Sequence, residues 1–240
     1  MRSNRLQLNT AKTEVMWCAS SRRQSQLPTE PVQLGNDEVF PVRAVRDLGI
    51  YLDSDVTMKT HVTKTVASCF AALRQIRSIR RSVTRPVLLS LVVSLVLTRL
   101  DYGCTTLVGL PASLLDRLQS VLNAAARLVN SARKFDHVTP LLHDLHWLRV
   151  PERICFRLSV LVFRGLHGLA PEYIADDLQR VADVDARRRL RSASTAALLV
   201  PSTQHRTIGD RAFPVAAARA WNSLPPFVTD APSLPVFRRR

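Results

Sequence analysis

SLLDRLQSVLNAAARLVNSARKFDHVTPLLHDLHWL, residues 113–148, decides how the rest of the chain is read. Leu114, Leu118, Val121, Ala125 and Leu128 recur at steps of four and three, and Leu115, Leu122 and Val129 widen the stripe. That spacing is one apolar face of a 3.6-residue helix. Ser113 stands at the N-cap position with Asp116 three residues on, a near capping box that sets an acid at the positive helix end. Ala124, Ala125 and Ala126 leave room for a second helix to come close. The pattern stops after Asn130 and restarts at Thr139-Pro140, where Thr139 reads as an N-cap and Pro140 as the first helical residue. The spacing predicts a helix, a basic turn and a second helix.

Outward from this centre the chain has 240 residues, enough for one large domain or two small ones. Hydrophobic residues make up 46%, so general disorder is excluded and a sizeable core can form. The charge is the outlier. Lys and Arg number 34 against 19 Asp and Glu, a formal net charge of +15 with a pI near 11.1. Such a balance favours a polyanionic partner, nucleic acid before acidic lipid. Cys18, Cys69, Cys104 and Cys155 form no CxxC pair, which argues against a metal scaffold or a disulfide framework and suits a reducing compartment. No apolar run follows Met1, and the most apolar segment, residues 86–97, is too short to span a bilayer. It is expected to be a buried helix, in a protein that is intracellular, nuclear or cytoplasmic, without a membrane partner.

Toward the N-terminus, Leu6-Gln7-Leu8 and Val15-Met16-Trp17 read as short extended runs, and residues 20–33 as a loop with Pro28 and Pro31. Gly35-Asn36 is a turn signal, and residues 45–52 read as a hairpin bent at Gly49. Asp53, Ser54 and Asp55 would cap the next helix, whose face carries Val62, Val66, Cys69, Leu73 and Ile76. From residue 57 to residue 100 there is no Asp or Glu. The same span holds Lys59, Lys64, Arg74, Arg77, Arg80, Arg81, Arg85 and Arg99, a net +8, with Arg74, Arg77 and Arg81 in one stripe. A solvated basic face is normally interleaved with acids, so a one-sided run points to phosphate contact. Beyond residue 148, Pro151 opens a helix bearing Ile154, Leu158, Leu161 and Val162 and stopped at Gly165 and Gly168. Residues 171–178 make a short helix. From residue 181 the chain turns basic at Arg187-Arg188-Arg189-Leu190-Arg191 and then proline-rich. It is expected to run extended and loosely packed, anchored by Trp221 and Phe227.

His137, His143 and His146, with Asp136 or Asp144, lie close enough to suggest a metal site, but the spacing fits no common zinc pattern. Packing, capping or phosphate contact accounts for them better. Asp47, Asp53 and Asp55 imitate a two-metal cluster, yet Asp53 and Asp55 serve the following helix as caps. No GxSxG, HExxH, phosphate-cradling glycine loop or dinucleotide fingerprint occurs.

Several runs fall in one familiar order: Leu8-Asn9 with Lys12-Thr13-Glu14, Asp47-Leu48-Gly49 with Leu52-Asp53, Met58 with His61, and Leu73-Arg74-Gln75-Ile76. Arg99-Leu100-Asp101-Tyr102, Leu118-Gln119 with Asn123-Ala124-Ala125-Ala126-Arg127, His137 with Thr139-Pro140, and Leu145-His146-Trp147-Leu148 follow. Arg153-Ile154, Ala170-Pro171 with Tyr173, and Trp221-Asn222-Ser223-Leu224-Pro225 complete the set. Together these resemble the C-terminal part of the reverse transcriptase of LINE-type non-LTR retrotransposons of the Jockey and chicken-repeat kind, over nearly the whole chain.

The resemblance implies a mainly α chain. Residues 1–55 would be a palm remnant with a short β-hairpin, 56–180 a helical thumb-like bundle, and 181–240 an extended basic tail. It implies that Lys12 matches the lysine of the motif that closes on the nucleotide, and that Leu48 and Gly49 match the hairpin gripping the primer end. Lys59, Lys64, Arg74, Arg77, Arg80, Arg81 and Arg85 would cradle an RNA or RNA–DNA duplex. No YxDD-like or FxDD-like run is present, and Asp176-Asp177 lies in a helical context. The catalytic aspartates would lie upstream with the rest of the palm and the fingers of the same polyprotein. The magnesium of the full-length family would go to those aspartates, leaving this chain without a cofactor and limited to binding the template–primer without polymerising. The alternative is a helical protein-interaction module with no nucleic-acid role.

Overall fold

Among the residues that the computed structural model describes, 9–35, 37–183 and 196–239, helices dominate and the strands are confined to residues 32–53. The extended run at residues 6–8, Asn36 and the basic cluster at 187–191 lie outside the described residues. The chain divides into two compact units, residues 1–68 and 69–240.

The first unit holds two antiparallel hairpins: β1 (Val32–Leu34) with β2 (Asp37–Val39), and β3 (Ala44–Asp47) with β4 (Ile50–Asp53). The second hairpin is the one expected over residues 45–52. Leu48 and Gly49 connect β3 to β4 with φ of 43° and 86°, the two positive values that a two-residue turn matched to strand twist requires. Helix α1 (Lys59–Ile79) follows. Its start is capped as anticipated: Asp53 Oδ2 accepts from the Thr60 N–H at 3.1 Å, and Asp55 Oδ1 from the Thr57 N–H at 3.1 Å and the Thr57 hydroxyl at 2.6 Å. These bonds satisfy donors that no helical carbonyl can reach. Met58 and His61, one of the quoted pairs, are both buried.

The second unit is all helical among its described residues, apart from one isolated bridge between Arg180 and Leu198. Helix α2 (Arg85–Val92) runs through a π turn (Val93–Leu97) into α3 (Thr98–Asp101). The buried helix expected over residues 86–97 is buried on one side only: Leu88, Val92, Val96 and Leu97 are buried, while Val87, Val93 and Leu95 are about two-fifths exposed or more. The extra residue of the π turn lets both Val96 and Leu97 face inward. The buried Cys69 thiol lies 3.8 Å from the Val96 carbonyl. Burial pushes that thiol up to about 11, so it stays protonated and can donate.

Helix α4 (Ala112–Val129) buries seven of the eight apolar side chains of the opening stripe, with Leu115 half-buried. Its N-cap is Pro111, not Ser113, and α5 (Val138–Asp144) starts from His137, not Thr139. Both shifts are of the size by which helix ends ordinarily vary. The Thr139 hydroxyl accepts instead from Arg149. Helix α6 (Val150–Leu166) packs on α4 and on α7 (Glu172–Asp176). Gly165 does not stop it; a side chain there would meet Leu178 at 2.8 Å, so its bareness admits the segment after α7. The stop is Gly168, at φ 66°.

The expectation of an extended, loosely packed tail is overturned for residues 196–239. They form α8 (Arg206–Gly209), α9 (Phe213–Asn222), α10 (Pro226–Thr229) and α11 (Leu234–Arg239). Ala216, Ala217, Ala218, Trp221 and Phe237 join Leu158, Val162 and Phe163 of α6 in one buried cluster. Pro214, Pro226 and Pro235 sit in the first turns of α9, α10 and α11, where a missing N–H costs nothing. Trp221 is an anchor, with its indole N–H donating to the Ala196 carbonyl at 2.9 Å. Phe227 is 59% exposed, and Phe237, between Phe163 and Trp221, takes the anchoring place.

Candidate nucleic-acid interface

In the first unit, Lys12 ends a short 3-10 turn (Thr10–Lys12) and is exposed; its N–H donates to the Asn9 carbonyl, which also accepts from the Thr13 hydroxyl. Leu48 lies at the hairpin tip, 83% exposed. Lys59 and Lys64 are exposed on the first turns of α1. Lys64 Nζ stands 4.9 Å from the Tyr51 ring centre and Arg46 Cζ 5.6 Å from it, so two cations share one aromatic ring. Arg46 and Tyr51 are cross-strand partners in the hairpin. Arg46 lies outside the acid-free span of residues 57–100, and its place opposite Tyr51 in a hairpin turning at Leu48-Gly49 was the available signal.

Burial alone would push Asp55 up, but hydrogen bonds from Thr57, side chain and backbone, with Lys59 and Ser21, hold its carboxyl below the usual 3.8. Its ionised form is therefore committed to capping. A cleft of about 610 Å³ above these caps is lined by Trp17, Arg43, Lys59, Asp53 and Asp55, where two cations balance two carboxylates. It offers an anion no net attraction.

In the second unit, Arg74, Arg77 and Arg81 are exposed and Arg80 is half-buried. Arg74, Arg77 and Arg81 fall within about 60° of arc on helical spacing, beside the buried Ala72, Leu73 and Ile76. Among the described residues, no carboxylate lies within ion-pair distance of these four arginines. Arg85 differs: its Nη2 donates to Asp144 Oδ2 and to Asn130 Oδ1, each at 2.8 Å. The basic run is thus mostly uncompensated, with one member already engaged.

Other quoted motif residues turn out to hold the scaffold. Asp101, 13% exposed, accepts from Arg153 Nε at 2.9 Å and Nη2 at 2.7 Å, and from Arg157 at 2.7 Å. The Arg99–Tyr102 run and the Arg153-Ile154 pair, 52 residues apart, meet in that fork. Gln119 Oε1 accepts from the Val150 N–H at the head of α6 and its Nε2 donates to Asn123. Asn222 grips Leu198 from both sides, accepting from its N–H and donating to its carbonyl at 2.8 Å each. His146, at φ 52°, closes α5: its N–H reaches the His143 carbonyl and the Trp147 N–H the Leu142 carbonyl. Histidine is among the residues that tolerate this left-handed position. His143 and His146 stand 6.4 Å apart between ring centres, and among the described residues no cluster of three potential metal ligands forms around them. No helix among the described residues is long and apolar enough to cross a membrane.

No protein-family model, no curated protein and no solved structure matches this chain.

Proposed function

We propose that this chain is the late-palm, thumb-like and C-terminal part of a LINE-type reverse transcriptase, an RNA-directed DNA polymerase of a transposable element, and that its own task is to hold the template–primer duplex. One observation carries this: an acid-free span of 44 residues in which Arg74, Arg77 and Arg81 stay exposed and Arg80 half-buried, all four without carboxylate partners among the described residues. Charge left uncompensated costs stability through self-repulsion, and a phosphate backbone is the partner that removes the cost. The guanidiniums form charge-assisted bonds to phosphate oxygens and read no sequence, which suits a polymerase thumb. The reading assigns no catalytic step to this sequence, because two-metal nucleotidyl transfer needs a carboxylate set that no run here supplies.

Fluorescence anisotropy on an RNA–DNA duplex tests the proposal. With roughly six phosphate contacts, affinity should fall on the order of 10³-fold between 50 and 200 mM salt. Absence of binding at 50 mM overturns it. Changing Arg74, Arg77 and Arg81 together to Gln should lower the salt slope by about 3 with helicity unchanged. Primer extension with magnesium should give no product; synthesis would overturn the assignment of a binding role alone.

The second reading, a helical protein-interaction module, is favoured by the exposed Val87, Val93 and Leu95 on one helix. Salt-insensitive association with a protein, alongside absent duplex binding, would select it.

A further inference from the structure

The start of α2 and the end of α4 border an open pocket of about 230 Å³. It has room for one phosphate group with its water, and is smaller than the roughly 300 Å³ at which small-molecule sites begin. Arg80, Arg85, Asn130 and Ser131 form its walls and Leu88 and Val129 its floor, with no acidic side chain among them. Arg85 is oriented from behind by Asn130 Oδ1 and Asp144 Oδ2. That bond also sets the Asn130 amide, since the reverse orientation would face donor against donor. The one side-chain acceptor of Asn130 is thereby used, and its Nδ2 is a buried donor without a partner. Arg80, half-buried, has no carboxylate within ion-pair distance among the described residues. The wall side chains therefore have donors to spare.

Two opposing electrostatic terms meet here. Helix α4 ends at the cavity with about half a negative charge, and α2 begins there with about half a positive one, so the dipoles offset each other. Asp144 offsets Arg85. Arg80 remains as the uncompensated charge, and it selects an anion.

We propose that this cavity is a phosphate pocket, seating one phosphodiester of a nucleic-acid strand between Arg80 and Arg85 with the Ser131 hydroxyl as a further donor. The pocket chemistry is the same for free phosphate; only the source of the phosphate rests on the duplex-binding reading. Two measurements on the full chain separate these. In the first, inorganic phosphate replaces chloride at constant ionic strength while ¹H–¹⁵N spectra are recorded. The Ser131 amide and Arg80 Nε signals should shift saturably, and Arg80→Gln should abolish the Ser131 shift while leaving spectral dispersion intact. No saturable shift overturns the pocket. In the second, duplex affinity is followed from 50 to 200 mM salt. Arg80→Gln should reduce the salt slope by about 0.9, making the affinity loss over that range about 3.5-fold smaller, while Arg164→Gln, on the last turn of α6, serves as the reference change. If the two variants give equal slopes although free phosphate saturates the pocket, the phosphodiester assignment falls. If the parent binds no duplex at all, the proposed function fails and the phosphate titration still decides the pocket.

Discussion

Replacing Asp101 by Asn keeps the side-chain shape and removes the charge that two arginines of α6 share. Asp101 and Arg153 are 13% and 18% exposed, so their paired Nε and Nη2 bonds lie largely out of water, whereas Arg157 is 48% exposed. Breaking a fully buried pair costs about 3–5 kcal/mol, because the surviving charge is left without compensation. The residual exposure of both partners lowers that to about 3 kcal/mol, and the solvent-screened Arg157 bond adds less than about 1 kcal/mol. For a chain of this size such a loss lowers the melting temperature by roughly 6–12 °C. Urea unfolding followed by far-UV circular dichroism, in double-mutant cycles with Arg153→Gln and Arg157→Gln, resolves the two contacts. Coupling to Arg153 should be about 2 kcal/mol and should exceed coupling to Arg157. A cost for Asp101→Asn within about 0.5 kcal/mol, or the reverse ranking of the two arginines, refutes the placement of the pair as a keystone between α3 and α6. Duplex salt slopes should not change in Arg153→Gln, since that guanidinium is engaged internally.

Ser131 occupies the left-handed position after α4 at φ 56°, so Ser131→Gly should raise stability by about 0.5–1 kcal/mol in the same unfolding assay, and a loss would contradict the strain. Truncation of Trp221 or Phe237 to Ala should each cost about 3–5 kcal/mol, whereas Phe227→Ala should stay within about 0.5 kcal/mol; equal costs would return the tail to a loosely packed state. Burial holds the His61 imidazole below its ordinary 6.5, against an opposing pull from Asp53, and its Nδ1 accepts from the Tyr51 N–H. The unfolded chain therefore takes up the proton more readily than the folded one. This contribution to stability is complete above pH 6.5 and is lost as pH falls from there through the folded value. Unfolding midpoints between pH 7.5 and 5 should drop more steeply for the parent than for His61→Asn, and parallel curves would show that His61 does not titrate as described.

The helices that could be read in advance were those whose apolar residues repeat with one period and face one way. The stripe from Leu114 to Val129 is such a case, and it maps almost residue for residue onto the buried face of α4. The hairpin at Leu48-Gly49 was legible for a similar local reason, as were the caps from Asp53 and Asp55, since each depends on neighbours within a few residues. The basic stripe was visible as composition, and its exposure follows from the same helical arc. What escaped was long-range. Nothing local indicates that Asp101 waits for Arg153, that Asn222 grips Leu198, or that Arg85 is oriented by Asn130 and Asp144. The proline-rich tail misled because proline opens a helix as readily as it ends one, and only burial against α6 tells the two apart.

By itself the sequence determined a mainly helical chain with a short N-terminal hairpin, the face that α4 turns inward, and an acid-free basic run at residues 57–100. These follow from periodicity, turn chemistry and charge, all local properties. Tertiary structure alone decided which motif residues are scaffold, that residues 196–239 are core, and that Arg80 and Arg85 border one cavity. Each of those depends on contacts between residues far apart in the chain, where the entropy of bringing them together is offset only once the packing around them has formed.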